Sequence, residues 1–211
     1  TQLHQLLALS TEQNITDVAM EVSSHALAQK RVSATLFNTA VFTNLSRDHL
    51  DYHLTMSAYA ATKQEIFTGD NKQIAVVNGD DKQAQSWLEN WPKAQTVVVY
   101  GRAENIADND RFAQAVNVKH HTSGVSFQLV TEQGECEIKS QLLGDFNVEN
   151  LLAAIAVLMV ENIALATIAK AITQLVPIIG RMEAFSSAGK PTAVVDYAHT
   201  PDALASALDA C

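Results

Sequence analysis

Cysteine is nearly missing from this chain: of 211 residues, only Cys136 and Cys211 carry a thiol. That excludes a disulfide framework and favours a reducing compartment, so the expected location is the cytoplasm. Long apolar runs are missing too. The most apolar stretch, residues 151–160, stops at Glu161 and Asn162, short of the roughly 20 residues a membrane span needs. Residues 1–10 have no basic start of the kind that opens a secretory signal. Positive charge is scarce, with 14 Lys and Arg against 23 Asp and Glu and a formal net charge of −9. General nucleic-acid binding, which needs basic patches, is therefore not expected, whereas a local anion site remains open. Glycine-rich phosphate loops are absent: there is no G-x-G-x-x-G, and Gly189-Lys190 is followed by Pro191 rather than Ser or Thr. A G-x-S-x-G hydrolase elbow and a C-x-x-C pair are missing as well.

What is there suits a globular protein. The chain is 47% hydrophobic and 18% charged, and at this length it can bury roughly 70% of its unfolded surface. Residue 1 is not Met, residues 1–9 read as a helix already under way, and the helix that Pro201 starts runs into Cys211 without a stop signal. The expectation is an internal piece of a longer protein.

Strand and helix patterns alternate. Residues 15–20, 40–43, 74–77, 96–100 and 192–196 read as strands, residues 56–67, 83–89, 146–160 and 164–176 as helices, and residues 23–28 as a short helical or loop element. Between residues 113 and 143 the period changes to two, with turns at Ser123-Gly124 and Gln133-Gly134. The fold class is α/β: a mostly parallel sheet flanked by helices, a small antiparallel insert, and the start of a second Rossmann-like α/β domain. Pro177 to Gly180 marks the boundary, giving domains of residues 1–178 and 179–211.

Chemistry concentrates in two loops after strands. Asp48-His49-Leu50-Asp51-Tyr52-His53 packs two His and two Asp together, and Glu21-Val22-Ser23-Ser24-His25 follows the first strand. Open α/β sheets bind ligands beyond the carboxyl ends of their strands, so both loops could face one crevice. Glu21 and His49 make a candidate divalent-cation pair, and a hard ion such as Mg²⁺ takes carboxylates, waters and phosphates. Solvated loop residues with a capping Asp are the plainer alternative. His49 and His53 stand four apart, but the Glu of H-E-x-x-H is absent, which disfavours zinc. By default Lys63 is a surface helix lysine and Arg181 a loop cation.

Five separated motifs, in order, resemble the Mur ligases, and within them the MurE type. They are Ala19-Met20-Glu21-Val22-Ser23-Ser24-His25 with Gln29 and Arg31; Val41 through His53 with Tyr59 and Lys63; Gly144-Asp145-Phe146-Asn147-Val148-Glu149-Asn150; Gly180-Arg181-Met182-Glu183; and Val195-Asp196-Tyr197-Ala198-His199-Thr200-Pro201-Asp202. Residues 100–143 match least. The resemblance implies an ATP-dependent ligase of peptidoglycan synthesis, cytoplasmic and monomeric. It would add a diamino acid, meso-diaminopimelate or L-lysine, to UDP-MurNAc-L-Ala-D-Glu through an acyl phosphate.

By the same resemblance Glu21, His49 and Lys63 hold Mg²⁺, with Lys63 converted to an anionic carbamate, and His49 and Lys63 count as catalytic. Ser23, Gln29 and Arg31 hold the nucleotide-peptide substrate. Asn150, Arg181, Asp196 and His199 contact ATP. The resemblance also implies that a phosphate-binding loop precedes Thr1, that a uridine-gripping domain lies before it and that a specificity motif lies beyond Cys211, so this stretch alone is not expected to turn over. Three alternatives stay open: a related ligase such as cyanophycin or folylpolyglutamate synthetase, a metal-dependent hydrolase built on His49, Asp51 and His53, and a non-catalytic α/β binding module.

Overall fold

A computed structural model describes residues 2–68 and 73–211. The first elements are α1 (Gln2–Glu12), α2 (Ser24–Ala28), β1 (Thr39–Phe42), α3 (Leu50–His53) and α4 (Met56–Gln64), which ends in a 3₁₀ turn, Glu65–Phe67. Next come β2 (Ile74–Asn78), α5 (Lys82–Leu88), β3 (Val97–Gly101), β4 (Phe112–His121), β5 (Gly124–Thr131) and β6 (Gly134–Ser140). The chain closes with α6 (Asp145–Val160), α7 (Leu165–Ile172), β7 (Glu183–Phe185), β8 (Ala193–Val195) and α8 (Pro201–Asp209). Two compact units result: Thr1–Asn38 with Leu45–Gln73, and Thr39–Asn44 with Ile74–Cys211.

The second unit is built on a six-stranded sheet in the order β1-β2-β3-β4-β5-β6. The pairs from β1 to β4 are parallel, and β4–β5 and β5–β6 are antiparallel. Strand β2 is buried on both faces, Ala75, Val76 and Val77 all being fully inaccessible, as parallel strands between helical layers are. Helix α6 supplies one layer. Its sequence is apolar almost all round, and Val148, Leu151, Leu152, Ile155, Ala156 and Met159 pack with Val98, Tyr100, Phe127, Leu129 and Ile138 of the sheet and Ile168 and Ile172 of α7. Helix α5 starts at Asp81, whose carboxylate accepts the Gln83 and Ala84 N–H groups at 2.8 and 3.1 Å. The Trp87 ring of that helix meets Phe42 of β1 with centroids 4.7 Å apart. A short hairpin, β7 with β8, forms a separate two-stranded sheet.

Three expectations change. Residues 15–20 carry no regular secondary structure and join no ladder among the described residues, and Ile15 and Val18 are about half exposed, at 48% and 54%. Apolar character there has no strand to pair with, and pairing, not hydropathy, makes a strand. The antiparallel insert is present as β4 to β6 and continues the main sheet: β4 pairs in parallel with β3 through Tyr100↔Ala113 and antiparallel with β5 through Ala115↔Leu129. The helix expected to reach residue 176 ends at Ile172. Strand β7 was not foreseen, because three residues, two of them exposed, carry no period.

Gly124, which opens β5, has φ +141°, and a Cβ there would run into the Ser140 carbonyl oxygen; Gly134 has φ +132° but open space around it. Both sites strain an L-residue, at about 1–3 kcal/mol. Gly124→Ala is therefore expected to lose clearly more stability than Gly134→Ala in urea unfolding, by about 1 kcal/mol or more.

Candidate active site

The first unit gathers its functional candidates on turns. Ser23 caps α2, its hydroxyl oxygen accepting the Ala26 N–H at 3.2 Å, which leaves the hydroxyl proton to donate elsewhere. The next residue, Ser24, points inward, is 2% exposed, and hydrogen-bonds His53 Nε2 at 2.9 Å. His53 ends α3, a single turn bracketed by two residues at positive φ, His49 in the left-handed region at φ 55° and Leu54 at φ 65°. Non-glycine residues adopt that region at a cost, so the surrounding contacts must hold them there. One such contact is the bond from the His49 N–H to Asp48 Oδ1, at 2.7 Å.

Aromatic rings fill the space between these turns. The His25 ring lies 4.9 Å from His49, 4.4 Å from Tyr52 and 5.7 Å from His53. The His53 ring stacks on Tyr59 at 5.0 Å, His49 meets Tyr59 edge-on at 5.8 Å, and Lys63 Nζ lies 5.4 Å from the Tyr59 ring centre. Tyr59 and Lys63 sit one turn apart on α4. Two members of the expected metal trio, His49 and Lys63, thus border one buried tyrosine. The third, Glu21, stands exposed on the irregular segment before α2, with no hydrogen bond or ion pair drawing it to them among the described residues.

Gln29 and Arg31 are paired: Gln29 Oε1 accepts from Arg31 Nε at 2.9 Å and also from Nη2. This fixes one edge of the guanidinium and leaves its other N–H groups outward. Lys30 Nζ reaches Glu65 Oε2 at 2.6 Å, tying the turn after α2 to the end of α4. Burial lowers the pKa of His53, helped by the charges of His25 and His49, while Asp51 opposes them. Burial and then the Asp48 charge raise that of Tyr59.

A second cluster lies in the second unit. Arg181 covers the Tyr197 ring at 5.0 Å, and His199 meets the same ring at 5.2 Å with its Nδ1 3.0 Å from the Tyr197 carbonyl oxygen. Asp196 accepts the N–H groups of Met182 and Ala198 at 2.9 and 2.8 Å, so it also anchors the hairpin to the turn beyond it. Arg181, Asp196 and His199 are therefore one group around Tyr197. Asn150 is exposed on α6, its side-chain amide near Asn147 Oδ1 at 3.3 Å, and no contact joins it to that group among the described residues.

Sequence reasoning missed the Ser24–His53 bond and the place of His25 as a third imidazole beside His49 and His53; the only available signal was that both sat inside quoted motifs. It also missed a buried-edge acidic set. Asp80 accepts the Arg102 and Ala103 N–H groups at 2.6 and 3.0 Å, and burial followed by the Asp80 charge raises the pKa of Glu149. Among the described residues no group of three or more His, Cys, Asp or Glu is placed to hold a metal ion, and no helix is long and apolar enough to cross a membrane.

Residues 1–158 match the Mur ligase middle domain. The chain belongs to that family. A solved UDP-N-acetylmuramoyl-L-alanyl-D-glutamate–2,6-diaminopimelate ligase is 36% identical over 99% of this chain, with a TM-score of 0.84. MurF from Acinetobacter baumannii, 23% identical over 82% with a TM-score of 0.70, and L. casei FPGS in its apo form, 20% over 82% with 0.65, share the fold. This Mur ligase middle-domain chain spans 42%, 37% and 41% of those proteins respectively.

His53 and Glu149 set opposite pH slopes. Native His53 resists a proton that the unfolded chain takes up below about pH 6.5, so stability falls as pH drops from there through the lowered native value. Native Glu149 holds a proton that the unfolded chain releases from about pH 4.5, so its contribution is lost as pH rises through the raised native value. Urea midpoints across this range should show His53→Gln flattening the first slope and Glu149→Gln the second.

Proposed function

We propose that the chain is the middle part of an ATP-dependent ligase that joins a diamino acid, meso-diaminopimelate or L-lysine, to UDP-MurNAc-L-Ala-D-Glu in peptidoglycan synthesis in the cytoplasm. The observation that carries this reading is the 36% identity over 99% of the chain to a ligase of that printed name. Likeness to FPGS at 20% speaks to fold alone. On this reading residues 1–178 are the middle domain and residues 179–211 begin a C-terminal domain.

The reaction transfers the γ-phosphoryl group of ATP to the D-Glu side-chain carboxylate. The amine of the diamino acid then attacks the acyl phosphate, an amide forms, and phosphate leaves with its bonding pair while the amine loses a proton. Ser23 donates its free hydroxyl proton to the substrate, and Arg31, oriented by Gln29, offers its outward N–H groups to a carboxylate. Arg181, beside His199 over Tyr197, offers positive charge to the nucleotide; Asp196 holds that turn in shape, and Asn150 contacts ATP from α6.

The donor set fits Mg²⁺ better than a closed zinc site. No group of three ligating side chains is gathered among the described residues, and Mg²⁺ takes one or two protein groups and fills its shell with waters and phosphates. Glu21 and His49 would hold it, with Lys63 as a carbamate offering two anionic oxygens. Mg²⁺ neutralises charge on the transferring phosphoryl group when bound. Lys63 is half-buried beside Tyr59, and its amine must give up the ammonium proton before it takes up CO₂.

Two outcomes test these roles in the complete protein. Arg31→Lys keeps the charge but loses the fork, and should raise KM for the muramyl dipeptide by about 1–3 kcal/mol in steady-state kinetics, with ATP little affected. Lys63→Ala and Lys63→Arg should both lose most turnover, with acetate or formate partly restoring only Lys63→Ala. Full activity in Lys63→Arg would mean that Lys63 serves as a cation.

A further inference from the structure

We propose that Ser24 and His53 are positioning residues that hold the substrate-binding turn and the metal-binding turn in register through their buried hydrogen bond. The inference rests on the ligand roles given above to Ser23, Arg31, His49 and Lys63. It concerns residues to which those roles assign nothing.

The bond joins residues 29 apart in sequence at 2.9 Å, and the two side chains are 2% and 7% exposed. Neither is open to a ligand from solvent, so neither is a catalytic residue. Each has a candidate ligand-binding residue as its near neighbour. Ser24 adjoins Ser23, whose hydroxyl caps α2 and is the first group offered to the substrate. His53 closes the one-turn helix that His49 opens, and the His53 main-chain N–H returns to the His49 carbonyl oxygen at 2.9 Å. The other face of the His53 ring stacks on Tyr59, the ring that Lys63 borders.

One imidazole thus touches α2 through its nitrogen and α4 through its face. The helical turn it terminates is short and bracketed by positive-φ residues, so it has little internal stability and takes its position from outside contacts. Removing either partner leaves a buried polar atom unpaired, which loosens the turn rather than deleting a ligand.

Steady-state kinetics on the complete protein test this. Ser24→Ala and His53→Leu should each raise KM for the muramyl dipeptide roughly tenfold, a change on the scale of one buried hydrogen bond, with KM for ATP within about twofold of the parent. The double variant should be no worse than the weaker single, because one bond is shared. His53→Gln, whose amide can still reach the Ser24 hydroxyl, should recover most of the loss. If His53→Leu does not fold, Ser24→Ala against His53→Gln makes the same comparison.

Equal rises in both KM values, effects that add in the double variant, or no rescue by His53→Gln would reduce the pair to a general stability role and overturn the proposal. Arg31→Ala run beside them separates the levels. An unchanged dipeptide KM in Arg31→Ala overturns the ligand assignment underneath. A raised one, with Ser24→Ala and His53→Leu unaffected, overturns only the positioning role.

Discussion

Burial of α6 against the sheet is the constraint on which the second unit depends. A helix apolar on nearly every face is insoluble by itself, and only contact on several sides resolves this. The strands supply one side and α7 another, and the side chains of Leu152, Ile155 and Ala156 are wholly inaccessible. Because interiors pack as tightly as organic crystals, the register of the central strands and the axial position of α6 fix each other. The entry to that helix is tight as well. Gly144 has φ +88°, and a Cβ there would press on the Phe146 ring at 2.8 Å and on Ala210 at 2.9 Å.

The first unit is held differently. Helix α1 buries no residue, and the buried apolar side chains among the described residues are Leu27, Val32, Tyr59, Ala60 and Phe67. Imidazole and phenol rings, a buried hydroxyl and strained turns carry much of its order. Such polar packing is sensitive to a single lost partner, because low local dielectric strengthens a made bond and penalises an unmade one. The candidate chemistry lies in this polar packing, while the second unit contributes an arginine, an aspartate and a histidine around one tyrosine.

The parts legible from sequence were those with a period or a local stop signal. Residues 74–77 read as a strand because a strand buried on both faces is apolar throughout, and residues 83–89 read as a helix. Residues 15–20 share that apolarity yet form no strand, since hydropathy does not reveal whether a ladder partner is present. The candidate residues were named from motif order, and order cannot say which side chains meet. His49 and Lys63 share Tyr59, and Arg181, Asp196 and His199 share Tyr197, whereas Glu21 and Asn150 stand apart from these groups. The Ser24–His53 pair was invisible because two polar residues 29 apart leave no periodic trace.

Strand β4 has a kinetic meaning. It is the last parallel strand and the first antiparallel one, so it joins two regimes of chain closure. On its antiparallel side, His121 pairs with Gly124, 124 − 121 or three positions on; on the parallel side of the sheet, Ala40 pairs with Ala75, 75 − 40 or 35 positions on. Closure entropy grows with the logarithm of that separation, and non-local parallel pairing is the slower step. The meander from β4 to β6 is thus the cheapest piece to assemble and can template the outer parallel strands. The segment bearing His49, His53, Tyr59 and Lys63 lies inside the 35-residue loop that β1 and β2 must close, which puts the candidate site among the last parts of the chain to acquire its shape.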